Sequence, residues 1–197
     1  MRADVLRRGG AAAHVAGSQV ALAASNYVVL AIAARHLDPA GFAAVSAYYL
    51  LINTVGRGLF AAVELETTRA VAAGSHGRGA ALRHTGLLLV GALVLLGLAA
   101  PLLSGVLPGA ATMALLAVGA TTMAASYLIR GPLAGLRRYG RYAATFWIEA
   151  GVGLAAAVVL TVIDEHATAA WIAVLALAPG VAPLLLWARR GAGWAPA

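Results

Sequence analysis

Apolar residues run along this chain in long stretches, broken by short segments rich in glycine, proline and charge. Six stretches stand out, at residues 11–34, 41–63, 85–106, 110–129, 143–163 and 167–188. Each reaches the ~20 residues that carry a helix across ~30 Å of hydrocarbon. The pattern predicts an all-α polytopic bundle of six transmembrane helices, forming one membrane domain over residues 1–197. The third stretch is apolar all round and is expected to face lipid. The others carry polar stripes. Ser18 and Ser25, and likewise Gln19 and Asn26, are seven apart and share one face of the first helix. Asn53, Arg57 and Glu64 follow one another at spacings of four and seven in the second. Thr122, Ser126 and Arg130 recur every four residues near the end of the fourth. Pro179, Gly180 and Pro183 interrupt the sixth, where proline removes a backbone donor and bends a helix. A bundle with a polar interior surface is expected, rather than a simple anchor.

Charge orients this pattern. All 14 basic residues are arginines, and twelve of them fall on one side once the six stretches are threaded through a bilayer. Arg2, Arg7 and Arg8 precede the first stretch. Arg69, Arg78 and Arg83 separate the second from the third, and Arg130, Arg137, Arg138 and Arg141 the fourth from the fifth. Arg189 and Arg190 follow the sixth. The opposite side has Arg35 against Asp38, Asp164 and Glu165. By the positive-inside rule both termini are cytoplasmic, in a multi-pass protein of the cell inner membrane. The basic start followed by an apolar run resembles a signal peptide, but the run is long and five more follow, so a retained first helix is expected.

Composition then removes whole classes of function. A chain that is 62% hydrophobic and 11% charged is no ordinary soluble domain. The net charge of +7 sits in short loops beside spans, where arginines meet anionic headgroups, so no nucleic-acid partner is expected. There is no cysteine, which excludes disulfides and thiolate chemistry. The five histidines show no H-x-x-x-H or similar pairing, so neither a metal nor another cofactor is expected. No histidine lies at mid-membrane depth to serve a serine nucleophile, and no paired aspartates suit a metal diphosphate. An enzyme is not expected, which leaves transport or scaffolding.

Candidate residues follow from cost. Arg57 lies about six residues, or ~9 Å, inside the second span, where an arginine must snorkel, pair or line water. Glu149 lies at a similar depth in the fifth span and offers a partner, giving an expected Arg57–Glu149 pair or shared cavity. Glu64, Glu66, Thr67, Thr68 and Arg69 crowd the inner end of the second helix, with Glu66 and Arg69 placed to pair locally for ~0.2–0.5 kcal/mol. Substrate or translocation contacts are therefore sought at Arg57, Asn53, Glu64, Glu66, Arg69, Glu149, Asn26 and Gln19. On composition alone, a solvated helix end is the preferred reading of the polar cluster, and simple interhelical hydrogen bonding is a strong reading of the stripe.

Three segments carry a resemblance. Residues 34–42, from Ala34-Arg35-His36 through Asp38-Pro39 to Gly41-Phe42, resemble the junction between helices one and two of polysaccharide-biosynthesis proteins. These are the lipid-linked oligosaccharide flippases of the multidrug/oligosaccharidyl-lipid/polysaccharide exporter superfamily. Residues 58–69, with Glu64, Glu66 and Arg69, look like an element at the inner end of the family's second helix. Residues 135–142, with Arg138 and Tyr142, resemble the lead into its fifth. The resemblance implies a lobe of a two-lobe transporter that moves a lipid-linked glycan between leaflets by alternating access, with cavity arginines receiving its phosphates. Arg57 is the residue it points to for that role. Where relatives often carry a basic residue just after the position of Glu149, this chain has Gly151, Val152 and Gly153.

Six spans match the N-terminal lobe alone, so a second half-transporter, a second copy of the chain or a truncated product is implied. The expected partners are membrane lipids, a lipid-linked glycan substrate and polysaccharide-synthesis enzymes. A non-transporting scaffold of a polysaccharide-synthesis complex and a small-solute transporter are the rival readings.

Overall fold

In the computed structural model, which describes residues 2–74 and 78–188, those residues are almost entirely helical. In chain order the helices are α1 (Arg2–His36), α2 (Pro39–Val55), a π-helical turn (Gly56–Phe60), α3 (Ala61–Ala72), α4 (Arg78–Leu103), α5 (Ala110–Gly135), α6 (Tyr139–Val162) and α7 (Thr168–Ala188). Five of them, α1, α4, α5, α6 and α7, are long and apolar enough to cross a bilayer. The chain is a multi-pass helical membrane protein.

The remaining stretch is more elaborate than the sequence suggests. At 17 residues α2 is short for a span, but it runs through the π turn into α3 with helical backbone angles at Val55, Gly56, Phe60 and Ala61. A π turn holds one residue more than an α turn, so everything after it is rotated by ~100° from the α-helical register. Its consequence for the site is given below.

The breaks between helices have local causes. Asp38 caps α2: its Oδ1 accepts a hydrogen bond from Gly41 N at 2.7 Å, with Pro39 at the first helical position. Gly41 is buried against α7, where a Cβ would lie 2.8 Å from Thr168 Oγ1. The α5–α6 turn is three residues long, with Arg137 left-handed at φ 56°. Arg138 N donates to Leu133 O at 2.8 Å, closing the end of α5. This turn sends α6 back alongside α5.

Helices α5, α6 and α7 form the middle of the bundle, with α1 laid along α6 and α3 against α5. The main core gathers Trp171, Tyr48, Phe60, Ile52, Leu116 and Ile172. Ser18 and Ser25 are buried, each donating back to a carbonyl of its own helix, so one face of α1 is interior as the spacing predicts. Helix α4 is the most peripheral of the spans, with Leu87, Val90, Leu95, Leu98 and Leu102 exposed, in keeping with its uniformly apolar sequence. Pro179 and Pro183 are accommodated inside a continuous α7.

The α3–α5 contact depends on two glycines one turn apart, Gly131 and Gly135. A Cβ on Gly131 would collide with Thr67 Oγ1, and one on Gly135 would lie 2.8 Å from Thr68 O. Such small-xxx-small spacing lets helix backbones approach closely. Thr68 Oγ1 uses that approach to donate to Gly131 O at 3.1 Å. Gly131→Leu is expected to destabilise the bundle by about 1–3 kcal/mol through overpacking. Denaturant unfolding in micelles, followed by circular dichroism, measures this directly.

Candidate functional site

The interior polar site is built on one face of α6. Tyr142, Thr145, Phe146, Glu149 and Gly153 recur at three- and four-residue steps, which stacks them on one side of a helix. All five are buried. Facing them is Arg130 of α5, 4% exposed. It lies five residues before the end of α5, or ~7.5 Å along the axis, while Glu149 lies ~15 Å into α6. The arginine side chain spans the difference in depth.

Arg130 is held by several groups at once. Its NH2 group contacts Glu149 Oε2 at 2.6 Å, with both side chains almost wholly buried. Its Nε donates to Thr145 Oγ1 at 3.0 Å, and Thr145 in turn donates to Tyr142 O at 2.7 Å. The guanidinium carbon stands 4.0 Å from the centroid of the Phe146 ring and 5.7 Å from that of Tyr127. A buried charge pair is better tolerated when further hydrogen bonds accompany it, and the Nε–Thr145 contact supplies one here.

A second pair lies on the same face. Tyr142 Oη donates to Glu64 Oε1 at 2.6 Å, linking α6 to α3. Gln19 of α1 lies close to the Tyr142 side chain. Above this cluster, toward the middle of the bundle, Glu149 and Gly153 line a cleft together with Asn26, Tyr49, Asn53, Met123 and residues of α7. The cleft is partly open, and the space it encloses is small, about 20 Å³, room for a water-sized group. Asn53 Nδ2 donates to Tyr49 O at 2.9 Å, which leaves its amide oxygen for other donors. One turn from Arg130, Ser126 Oγ is buried and has no hydrogen-bond partner among the described residues.

The structure therefore brings together Gln19, Asn26, Asn53, Glu64 and Glu149 of the residues named from sequence. It does not bring in the others. Arg57 is exposed, and the partner of Glu149 is Arg130 rather than Arg57. The π turn immediately around Arg57 is the reason: it breaks the α-helical spacing by which Asn53, Arg57 and Glu64 were placed on one face. Arg57 nonetheless lies within electrostatic reach of Tyr127, as do Arg130, Glu64 and Glu149. Glu66 and Arg69 pair as expected, at 3.9 Å, but on the surface, with 72% and 68% of their side chains exposed. An exposed pair of this kind contributes little.

Arg130 corrects the division of the arginines into loop and membrane residues. It closes the apolar run 110–129 and looks like the first residue of a loop, yet α5 continues to Gly135. The signal was present in the Thr122, Ser126, Arg130 stripe. Thr122 at its other end donates to Ala176 O of α7 at 2.6 Å, so the whole stripe faces the interior.

No family model, curated protein or solved structure matches this chain.

Proposed function

We propose that this chain is a flippase-like transport lobe that moves a lipid-linked oligosaccharide or related cell-envelope precursor across the cytoplasmic membrane. In this reading α2, the π turn and α3 form one kinked second span, giving six spans with both termini in the cytoplasm. The observation that carries it is the buried Arg130–Glu149 pair, whose carboxylate lines a small cleft shared with Asn26, Asn53 and Tyr49. Ionised side chains within a membrane bundle are costly, and those that face its interior commonly mark substrate or ion pathways.

The guanidinium that receives phosphate is then Arg130, with Arg57 in a supporting position near Tyr127. A diphosphate presents several oxygens to the planar donor fork of arginine and competes with Glu149 for it. Asn26, Asn53 and Tyr49 supply neutral groups suited to sugar hydroxyls. The π turn places a weak point in the second span next to the cleft, where π segments commonly accompany function. Two of the three segments that resemble the flippase family also meet, through Glu64 and Tyr142.

The test is transbilayer movement in proteoliposomes, with a fluorescent short-chain polyprenyl-diphosphate saccharide as probe and dithionite bleaching the outer leaflet. Vesicles holding the protein should lose their protected fluorescence, while protein-free vesicles keep it. Identical protection in the two would overturn the transport reading and leave the scaffold.

A further inference from the structure

The end of the bundle that carries the α1–α2 and α6–α7 junctions holds a second cluster, separate from the interior site. We propose that His36, Asp164 and His166 bind a divalent transition cation of the zinc type, and that the ion ties the two junctions together. The ligand atoms of the three residues lie within 4.8 Å of one another.

The cluster is positioned from below. His36 stacks on the ring of Trp171, with centroids 5.9 Å apart and planes inclined by 22°. Trp171 is fully buried, so this ligand rests on the core. The same indole donates its Nε1–H to Glu165 O at 3.0 Å, which fixes the loop between Asp164 and His166. Asp164 adopts the left-handed conformation at φ 55°, which aspartate tolerates better than most residues. His166 Nε2 already lies 3.7 Å from Asp164 Oδ1, and its ring meets that of His36 edge-on at 6.2 Å. One buried indole thus organises all three residues.

The donor set points to the cation. Two imidazoles and a carboxylate suit zinc, nickel or cobalt, and three protein ligands leave a fourth position for water. Around a tetrahedral ion with bonds of ~2.0 Å, ligand atoms stand ~3.3 Å apart. His166 and Asp164 are 60% and 79% exposed and free to close the remaining gap by rotation. The surroundings favour positive charge: these two junctions carry Asp38, Asp164 and Glu165 against Arg35. Any ion held there bridges residues far apart in sequence and restrains the parting of α1 from α7.

Zinc chloride titration of the tag-free full chain in micelles, against a chromophoric competitor, tests this. Saturable binding of one ion per chain is expected. His166→Ala, Asp164→Asn and His36→Phe, the last keeping a ring on Trp171, should each weaken it on the order of tenfold or more. His14→Ala and His84→Ala should leave it unchanged. Absence of saturable binding, or binding that survives all three ligand substitutions, would overturn the site. Neither outcome bears on the interior pair, which shares no residue with it.

Discussion

Glu149→Ala is expected to cost about 3–5 kcal/mol, because it strands a buried guanidinium without its counter-charge. Few single substitutions in this chain should cost as much. The loss has a specific source. Arg130 is anchored on three sides, by Thr145, by the Phe146 ring and by Glu149, so it has no easy route to water. Arg130→Ala should be comparably damaging, since it leaves the Glu149 carboxylate buried and also removes packing on the Phe146 ring. The double replacement Arg130→Met with Glu149→Leu behaves differently. Apolar side chains of similar volume remove both desolvation costs together, and such swaps are neutral or stabilising by about 1–4 kcal/mol. Unfolding of the three variants in identical micelles checks the pattern. A Glu149→Ala protein within ~0.5 kcal/mol of wild type would show that the charge is not truly buried.

Much of the fold was legible because hydrocarbon thickness imposes length. The apolar runs of α1, α4, α5, α6 and α7 each correspond to a long helix, and helix ends follow readable chemistry at Asp38-Pro39. The interior face of α1 was legible from Ser18 and Ser25, and the exposure of α4 from its unbroken apolar sequence. The expectation that Glu149 is paired was sound, while its partner was misread. Two physical reasons account for that. Periodicity assumes one helical pitch, and the π turn at Gly56–Phe60 changes the pitch within a span. Apolar run length also undercounts a helix whose last turns are polar, so Arg130 looked like a loop residue while α5 carried it inside.

The junction cluster failed to register for a different reason. His36 lies far in sequence from Asp164 and His166, and no local spacing rule joins it to them. Only the folding of α6 and α7 against the end of α1, with Trp171 between, puts them side by side. Long-range pairs of this kind are written in topology rather than in periodicity. The Glu64–Tyr142 bond, between α3 and α6, is another.

The second large effect separates function from stability. If the Arg130–Glu149 pair serves transport, the apolar double variant should insert and fold at least as well as wild type, yet fail to move its substrate. Its cleft would retain Asn26, Asn53 and Tyr49 but lose the Glu149 carboxylate from its lining and, behind it, the paired guanidinium proposed to meet phosphate. The most direct measurement is the dithionite assay on vesicles holding equal amounts of wild type and of the Arg130→Met, Glu149→Leu protein, after matched thermal unfolding. The account predicts a rate at least about tenfold lower in the variant, equivalent to ~1.4 kcal/mol of lost transition-state stabilisation. A stable double variant that moves the probe at the wild-type rate would contradict it, and would make the buried pair a feature of folding alone.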